Sequence, residues 1–262
     1  MRNPRLVKTE FMKLRRSRVT WISFAVYAFM AAICGFLLWV MMNPSLASRL
    51  GLLGRKARFA FGGGALDWRT FLAFILQMAG IGGLIMSAVI VTYVFGREYA
   101  EGTAKNMLGL PIPRGRFVFA KLFVSGTWFA VLNLGLIVET WAVGMILHLP
   151  GFSAALFLAT AGRILLLSFM SLSCATVVAW VAVASQGYFA PLGFSIFTLV
   201  LASIFGSTGW GPWIPWSIIG IYAEAAGPNA SLGWGSFVVI ALTGLVGTTL
   251  VVRNAVRADN RQ

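Results

Sequence analysis

VTWISFAVYAFMAAICGFLLWVMM, from Val19 to Met42, runs for 24 residues without a charged side chain. As an α-helix it is ~36 Å long, enough to cross the hydrocarbon core of a bilayer with some tilt. A basic N-terminus precedes it, as in a signal peptide. The run is nevertheless longer than the roughly 7–15 apolar residues of a cleaved leader. It therefore predicts a retained transmembrane helix. Five more apolar runs follow: Phe71–Phe95, Phe117–Leu147, Ala161–Ala184, Phe189–Phe205 and Ser236–Val252. The expected fold is all-α, with six transmembrane helices in one membrane domain over residues 1–262.

Composition argues the same way. The chain is 59% hydrophobic and 11% charged, with a mean hydropathy of +0.85. An ordinary soluble domain is about 25% charged. A chain this apolar cannot cover a water-facing surface, so its excess apolar side chains must face lipid. The formal net charge of +14 would suggest nucleic acid in a soluble protein. Here the basic residues gather at the ends of apolar runs, which fits anionic headgroups and membrane topology instead. With the N-terminus inside, fifteen Lys and Arg lie on the inner side and six on the outer. That distribution predicts a multi-pass protein of the cytoplasmic membrane with both termini in the cytoplasm.

Several chemistries find no support. Cys34 and Cys174 sit singly in apolar runs, and His148 is the only histidine, so no metal site is expected. No HExxH or GxSxG sequence is present, and no GxxxxGK[ST] phosphate cradle. No catalytic residue is assigned.

Residues 1–18 carry Val7, Phe11 and Leu14 at i, i+4, i+7, with basic residues in other directions. This predicts an amphipathic interface helix, in which Glu10, Phe11, Lys13 and Leu14 stand together. It serves as a membrane-surface anchor or also touches a cytoplasmic partner. In the loop after the first span, Leu46, Leu50 and Leu53 have roughly helical spacing, which suggests a second surface segment.

Between the second and third spans lies FGREYAEGTAKNMLGLPIPRGRFVFAKL, Phe95–Leu122. It holds Glu98 and Glu101, two of only seven acidic residues. Projected as a helix over Arg97–Leu110, Glu98, Glu101, Gly102 and Lys105 share one face. Tyr99, Thr103, Met107 and Leu110 share the other. Gly109 would end the helix, and Pro111 and Pro113 would prevent its resumption. Such a loop either sets topology alone or docks on another protein. Topology needs Lys and Arg but has no use for the two glutamates.

The same stretch resembles the coupling-helix region of permease subunits of type-2 ABC exporters. The matching residues are Glu98 or Glu101, Gly102–Thr103, Met107–Leu108, Pro111, Arg114 and Lys121–Leu122. Glu10, Lys13 and Leu14 resemble that family's N-terminal segment, and GWGPWIPWSIIGIYA (Gly209–Ala223) its aromatic stretch before the last span. The bacitracin-resistance-like permeases are the most similar subgroup. One departure is Gln186–Gly187–Tyr188, where related permeases often carry a basic residue.

The resemblance implies a dimer of permease copies or paralogues in the bilayer, with two ABC ATP-binding subunits attached and no nucleic acid. ATP and Mg would reside on those subunits, and this chain would hold no cofactor. It implies partner contacts from Arg97, Glu98, Tyr99, Glu101, Gly102, Thr103, Lys105, Met107, Leu108, Pro111 and Arg114, within a coupling loop spanning residues 97–114. It also implies a re-entrant outer segment between the last two spans.

Within the third span, Glu139 and Asn133 are candidates for a substrate path or for interhelical hydrogen bonds. Arg163, expected at the start of the fourth span, would pair with Glu139 or reach toward the interface. These two charges support an alternative reading as a stand-alone channel or secondary transporter. Gly80, Gly83 and Ser87 line the second span with small residues, for packing within the chain or at a dimer seam.

Overall fold

The computed structural model describes residues 3–49, 66–102, 113–225 and 232–259. A short helix, α1 (Asn3–Arg15), leads into α2 (Arg18–Met42), and α3 (Pro44–Arg49) follows. The long helices α4 (Trp68–Ala100), α5 (Arg114–Ile146) and α6 (Ala154–Ser185) come next. Then α7 (Phe189–Gly206), a 3-10 turn at Gly211–Trp213, α8 (Pro215–Tyr222) and α9 (Trp234–Asp259) complete the order. The described residues contain helices and no strand. Six of the helices, α2, α4, α5, α6, α7 and α9, are long and apolar enough to cross a membrane.

The helix limits have local causes. Ser17 turns the chain between α1 and α2, and its side chain accepts from Thr20 N–H. Asp67 caps α4 by accepting from Thr70 N–H at 2.9 Å, placing a carboxylate at the positive end of the helix dipole. Ser153 caps α6 in the same way through Leu156 N–H. That cap starts the fourth span seven residues before the expected Ala161. Arg163 therefore lies inside the helix rather than at its start.

The start of the projected helix over Arg97–Leu110 is also corrected. Helix α4 continues from the membrane through Ala100, so Arg97–Ala100 are its last turn. Gly102 then adopts φ +68° and donates to the Tyr99 carbonyl, a left-handed stop that only glycine adopts without penalty. Helix α4 thus ends at Ala100, and Gly109 lies outside the described residues. Thr103, Lys105, Met107, Leu108 and Pro111 lie outside the described residues. So do Leu50 and Leu53, which leaves α3 as the described part of the surface segment predicted after the first span.

The core is built on α4 and α6. Trp68, Phe71, Ile75, Ile90 and Phe95 of α4 are sealed against Ile164, Leu167, Met170 and Ala179 of α6 and against Phe129, Leu132 and Leu136 of α5. Helices α2, α5, α7 and α9 leave Phe29, Phe119, Phe189 and Leu245 exposed, a surface for lipid to cover. Small residues let the helices approach. Gly247 of α9 faces Thr176 of α6, and Gly144 of α5 faces the Trp68 ring. Gly80 packs on Ala223, and a Cβ at Gly83 would touch Phe129 and Ser171 at 3.5 and 3.6 Å. The small-residue stripe of the second span is thus used inside the chain.

Beyond α7 the chain folds back beside it. Ser217 of α8 donates to the Ala202 carbonyl at 3.2 Å, one turn before α7 ends. Ile218, Ile219 and Ile221 are buried.

Candidate functional site

Four charged side chains meet at the end of the bundle where α1 lies. Lys121 stands in the second turn of α5, and its side chain is 4% exposed. Its Nζ donates to Glu98 Oε2 at 2.6 Å and to the Val94 carbonyl at 2.9 Å. The rings of Phe95 and Phe117 lie 5.4 and 5.6 Å from the same ammonium. Glu98 Oε1 accepts from Lys13 Nζ at 3.3 Å, and Lys13 also binds Glu10 Oε1 at 2.6 Å. Two lysines and two glutamates thus alternate along a chain that crosses from α1 through α4 to α5.

This arrangement answers its own electrostatic cost. An ammonium as buried as Lys121 is tolerable only with an opposite charge and further acceptors. It has both. Burial by itself would lower Lys13, but hydrogen bonds and charge from Glu10 and Glu98 outweigh it and hold the ammonium above its ordinary value. Leu14, one residue on, is buried, and Phe11 is half-buried. All four residues predicted for the interface helix are therefore placed, with Glu10 and Lys13 facing the bundle.

The residues predicted at the coupling loop divide into two sets. Glu98 turns inward to the two lysines. Arg97 and Glu101 pair with each other at the rim, Nε to Oε1 at 2.9 Å, with Arg97 over the Tyr93 ring. Glu101 is exposed at the end of α4 and Gly102 is exposed beside it. Tyr99 and Arg114 are half-buried at the two ends of the loop. The α6–α7 connection abuts this rim, because Tyr188 packs on Gly96. Burial raises the Tyr188 phenol, and Tyr93 and Glu101 raise it further against Arg97.

In the sequence Lys121 stands out only as part of a motif and a topology count. Its distinguishing signal is position: it lies among Phe117, Val118, Phe119, Ala120 and Leu122, where a lone lysine needs a buried carboxylate.

The intramembrane candidates separate as well. Asn133 is buried and ties α5 to α2, with Nδ2 donating to Tyr27 Oη at 3.4 Å and to the Phe129 carbonyl at 2.9 Å. Trp128 makes a parallel link to Ser23 at 3.1 Å. Glu139 is half-buried, and its Oε2 has no hydrogen-bond partner among the described residues. Arg163 does not pair with it. The guanidinium donates to the Tyr222 carbonyl at 2.9 Å, binds Glu224 Oε1 at 2.7 Å and lies over the Tyr222 ring. It thus satisfies the carbonyl end of α8, where the helix dipole is negative. Among the described residues no three His, Cys, Asp or Glu side chains come together as metal ligands.

Comparison with known proteins turns on this arrangement of spans. Residues 6–202 match the ABC-2 family transporter protein profile, taking in most of α1, the charged loop, four whole spans and most of α7. The chain belongs to the ABC-2 transporter family. It is also similar to the bacitracin transport permease protein BCRB of Bacillus licheniformis, at 25% identity over 183 residues, 70% of this chain and 88% of the relative. This ABC-2 chain is accordingly a multi-pass membrane permease, a transport subunit rather than an enzyme. Permeases of the family typically pair with an ATP-binding cassette subunit.

Proposed function

We propose that this ABC-2 chain is the membrane half of an ATP-driven exporter, working as a dimer with two separate ATP-binding subunits. Its charged loop, residues 97–114, receives the force. The observation that carries the reading is the Glu10–Lys13–Glu98–Lys121 chain. It joins α1, the end of α4 and the beginning of α5 at the two points where the loop leaves and returns. A push on a loop moves spans only if the loop is anchored stiffly at both ends.

In this reading Arg97, Glu101, Gly102, Thr103, Lys105, Met107, Leu108, Pro111 and Arg114 face the ATPase. Glu98 serves from behind by holding the base together. ATP and Mg bind the partner subunit, whose closure tilts α4 and α5 as levers. The distribution of fifteen basic residues against six supports placing α1 and both termini in the cytoplasm. The fold-back of α8 beside α7 supports a re-entrant outer segment, latched by Arg163 and covered by protein. Asn133 lies in the α2–α5 seam, and Glu139 is the carboxylate left to meet cargo in the pathway.

The reading is tested by reconstituting the native chain and Glu101→Arg with the ATP-binding subunit of the same source. Native protein should co-purify with the ATPase and transport on ATP addition. Glu101→Arg should lose co-purification, or hydrolyse ATP without transport. Full transport by the variant with normal complex recovery would overturn the docking assignment.

A further inference from the structure

Helix α1 has two faces of different electrical character. The inner face, with Glu10, Lys13 and Leu14, lies against α5, where Lys13 Nζ stands 5.9 Å from the Phe117 ring. Its charges cancel within the Glu10–Lys13–Glu98–Lys121 chain. The outer face carries Lys8, Met12, Arg15 and Arg16, all exposed. Lys8, Met12 and Arg15 follow one another by helical turns, so they point the same way. Past the turn at Ser17, Arg18 adds a fourth exposed cation. None of Lys8, Arg15, Arg16 and Arg18 makes an ion pair among the described residues. The glutamates at this end of the bundle are engaged elsewhere: Glu10 with Lys13, Glu98 with Lys13 and Lys121, and Glu101 with Arg97.

Arg18 also heads an apolar stripe. Ile22, Phe29, Ile33 and Phe36 follow it on the same face of α2, and all are exposed, with Trp21 beside Ile22. The opposite face, with Thr20, Tyr27, Ala31 and Leu38, is buried in the bundle. Unpaired cations at the head of a lipid-facing stripe complement a phospholipid, which has its charge at one end and a hydrocarbon chain along the rest.

We propose that the end of α1 and the start of α2 bind an anionic glycerophospholipid, with its phosphodiester held by Arg15, Arg16 and Arg18 and one acyl chain laid along Trp21, Ile22 and Phe29. Arginine suits the phosphate because its planar fork donates two parallel hydrogen bonds. The occupant is anionic overall. A zwitterionic lipid also has a phosphate, but it brings an ammonium into a field of four cations with no free carboxylate to receive it. The occupant is also a lipid, since a soluble phosphate ester or an acidic peptide would meet the arginines but not the stripe below them. A general attraction of basic residues to the membrane would make every exposed cation at a helix end equivalent. Here the preference belongs to the arginines around Ser17. The site lies within one copy of the chain, and binding is read on the permease alone, so it stands independently of ATP coupling.

The probe is phosphatidylglycerol carrying a diazirine in one acyl chain, present at trace level in phosphatidylcholine nanodiscs that hold the full-length permease. After irradiation the labelled peptides are mapped by mass spectrometry. Labelling should saturate and concentrate on Trp21–Phe29. Replacing part of the host lipid by unlabelled phosphatidylglycerol should displace the probe, whereas phosphatidylethanolamine and soluble glycerophosphate should not. A basic residue beside anionic lipid is worth roughly fivefold in binding. Arg15→Gln, Arg16→Gln and Arg18→Gln together should therefore weaken phosphatidylglycerol by about 100-fold. All three side chains are exposed, so the fold should be kept, which thermal unfolding checks. If the triple variant is not recovered, Arg18→Gln alone should show the roughly fivefold loss. Arg253→Gln, at an exposed cation near the end of α9, should leave the preference unchanged. Labelling spread evenly over lipid-facing Ile204 and Leu245, equal displacement by phosphatidylethanolamine, displacement by glycerophosphate, a folded arginine variant with its preference intact, or an equal loss in Arg253→Gln would each overturn the proposal.

Discussion

Lys121→Met tests the charged chain most directly. Methionine keeps the length and apolar stem of lysine but loses the ammonium, which makes two hydrogen bonds and faces two aromatic rings. The substitution strips Glu98, whose side chain is 15% exposed, of its shortest described ion pair, while Lys13 stays at 3.3 Å. Breaking a buried pair on one side costs about 3–5 kcal/mol. Lys13 and partial exposure of Glu98 soften the loss, so the lower end, about 3 kcal/mol, applies. For a chain of 262 residues, 1 kcal/mol moves the midpoint by about 2–4 °C, so a fall of about 6–12 °C is expected. Removing both charges, in Lys121→Met with Glu98→Gln, leaves no stranded carboxylate. The double variant should recover part of the loss, with a coupling of about 1–3 kcal/mol. The assay is thermal unfolding of the purified permease, followed by size-exclusion recovery after heating. A midpoint for Lys121→Met within 2 °C of native, on the scale just derived, would refute the reasoning. So would a double variant whose loss is the sum of the singles.

Three further perturbations follow from the geometry. Gly144→Ala places a Cβ inside the Trp68 ring, which Phe71, Phe152 and Phe157 hold from other sides, so a loss of about 1–3 kcal/mol is expected in thermal unfolding. Gly135→Ala in the same helix meets nothing within 4 Å and should be neutral or stabilising. Arg163→Gln removes the cation from the end of α8, and a cysteine placed at buried Ser217 should then react faster with a thiol reagent. Glu224→Gln should have the weaker effect, because Arg163 still donates to the Tyr222 carbonyl. Lys13 is held above its ordinary 10.5, so its stabilisation is complete below that pH and is lost as pH rises through the higher value in the folded protein. The stability difference between native protein and Lys13→Met should therefore be flat near neutrality and shrink only in strong alkali, read by the same heating assay across pH.

The spans were legible because lipid imposes a simple rule: about 20 apolar residues in a row must be a helix. What the rule cannot supply is where a helix ends outside lipid. Ser153 and Gly102 decide those ends through a cap and a left-handed turn, and both corrections to the predicted boundaries fall there. Glu98 and Glu101 share one face of a projected helix, and the sequence does not tell them apart. They differ because α4 ends between them: Glu98 is still a helical residue facing α5, while Glu101 is already at the exit. From the sequence, Arg163 can pair with Glu139 or reach toward the interface. Its actual partner, Glu224, sits beyond a fold-back that hydropathy does not encode.

That the base of the bundle uses charges at all follows from the solvent around it. In water, replacing a buried ion pair by apolar side chains of equal volume is often neutral or stabilising. In a bilayer an apolar contact between helices gains little over contact with lipid tails, so it neither drives association strongly nor fixes a register. Lys121 can meet Glu98 and the Val94 carbonyl together at only one axial setting of α5 on α4. A slip of one turn, about 5.4 Å, would strand the ammonium among Phe95, Phe117 and Val118. Lys13 and Glu10 extend the same constraint to α1. In the proposed coupling, a pair of spans that transmits displacement from a loop needs a fixed register at the loop's two roots, and buried charge provides it where apolar packing against lipid does not.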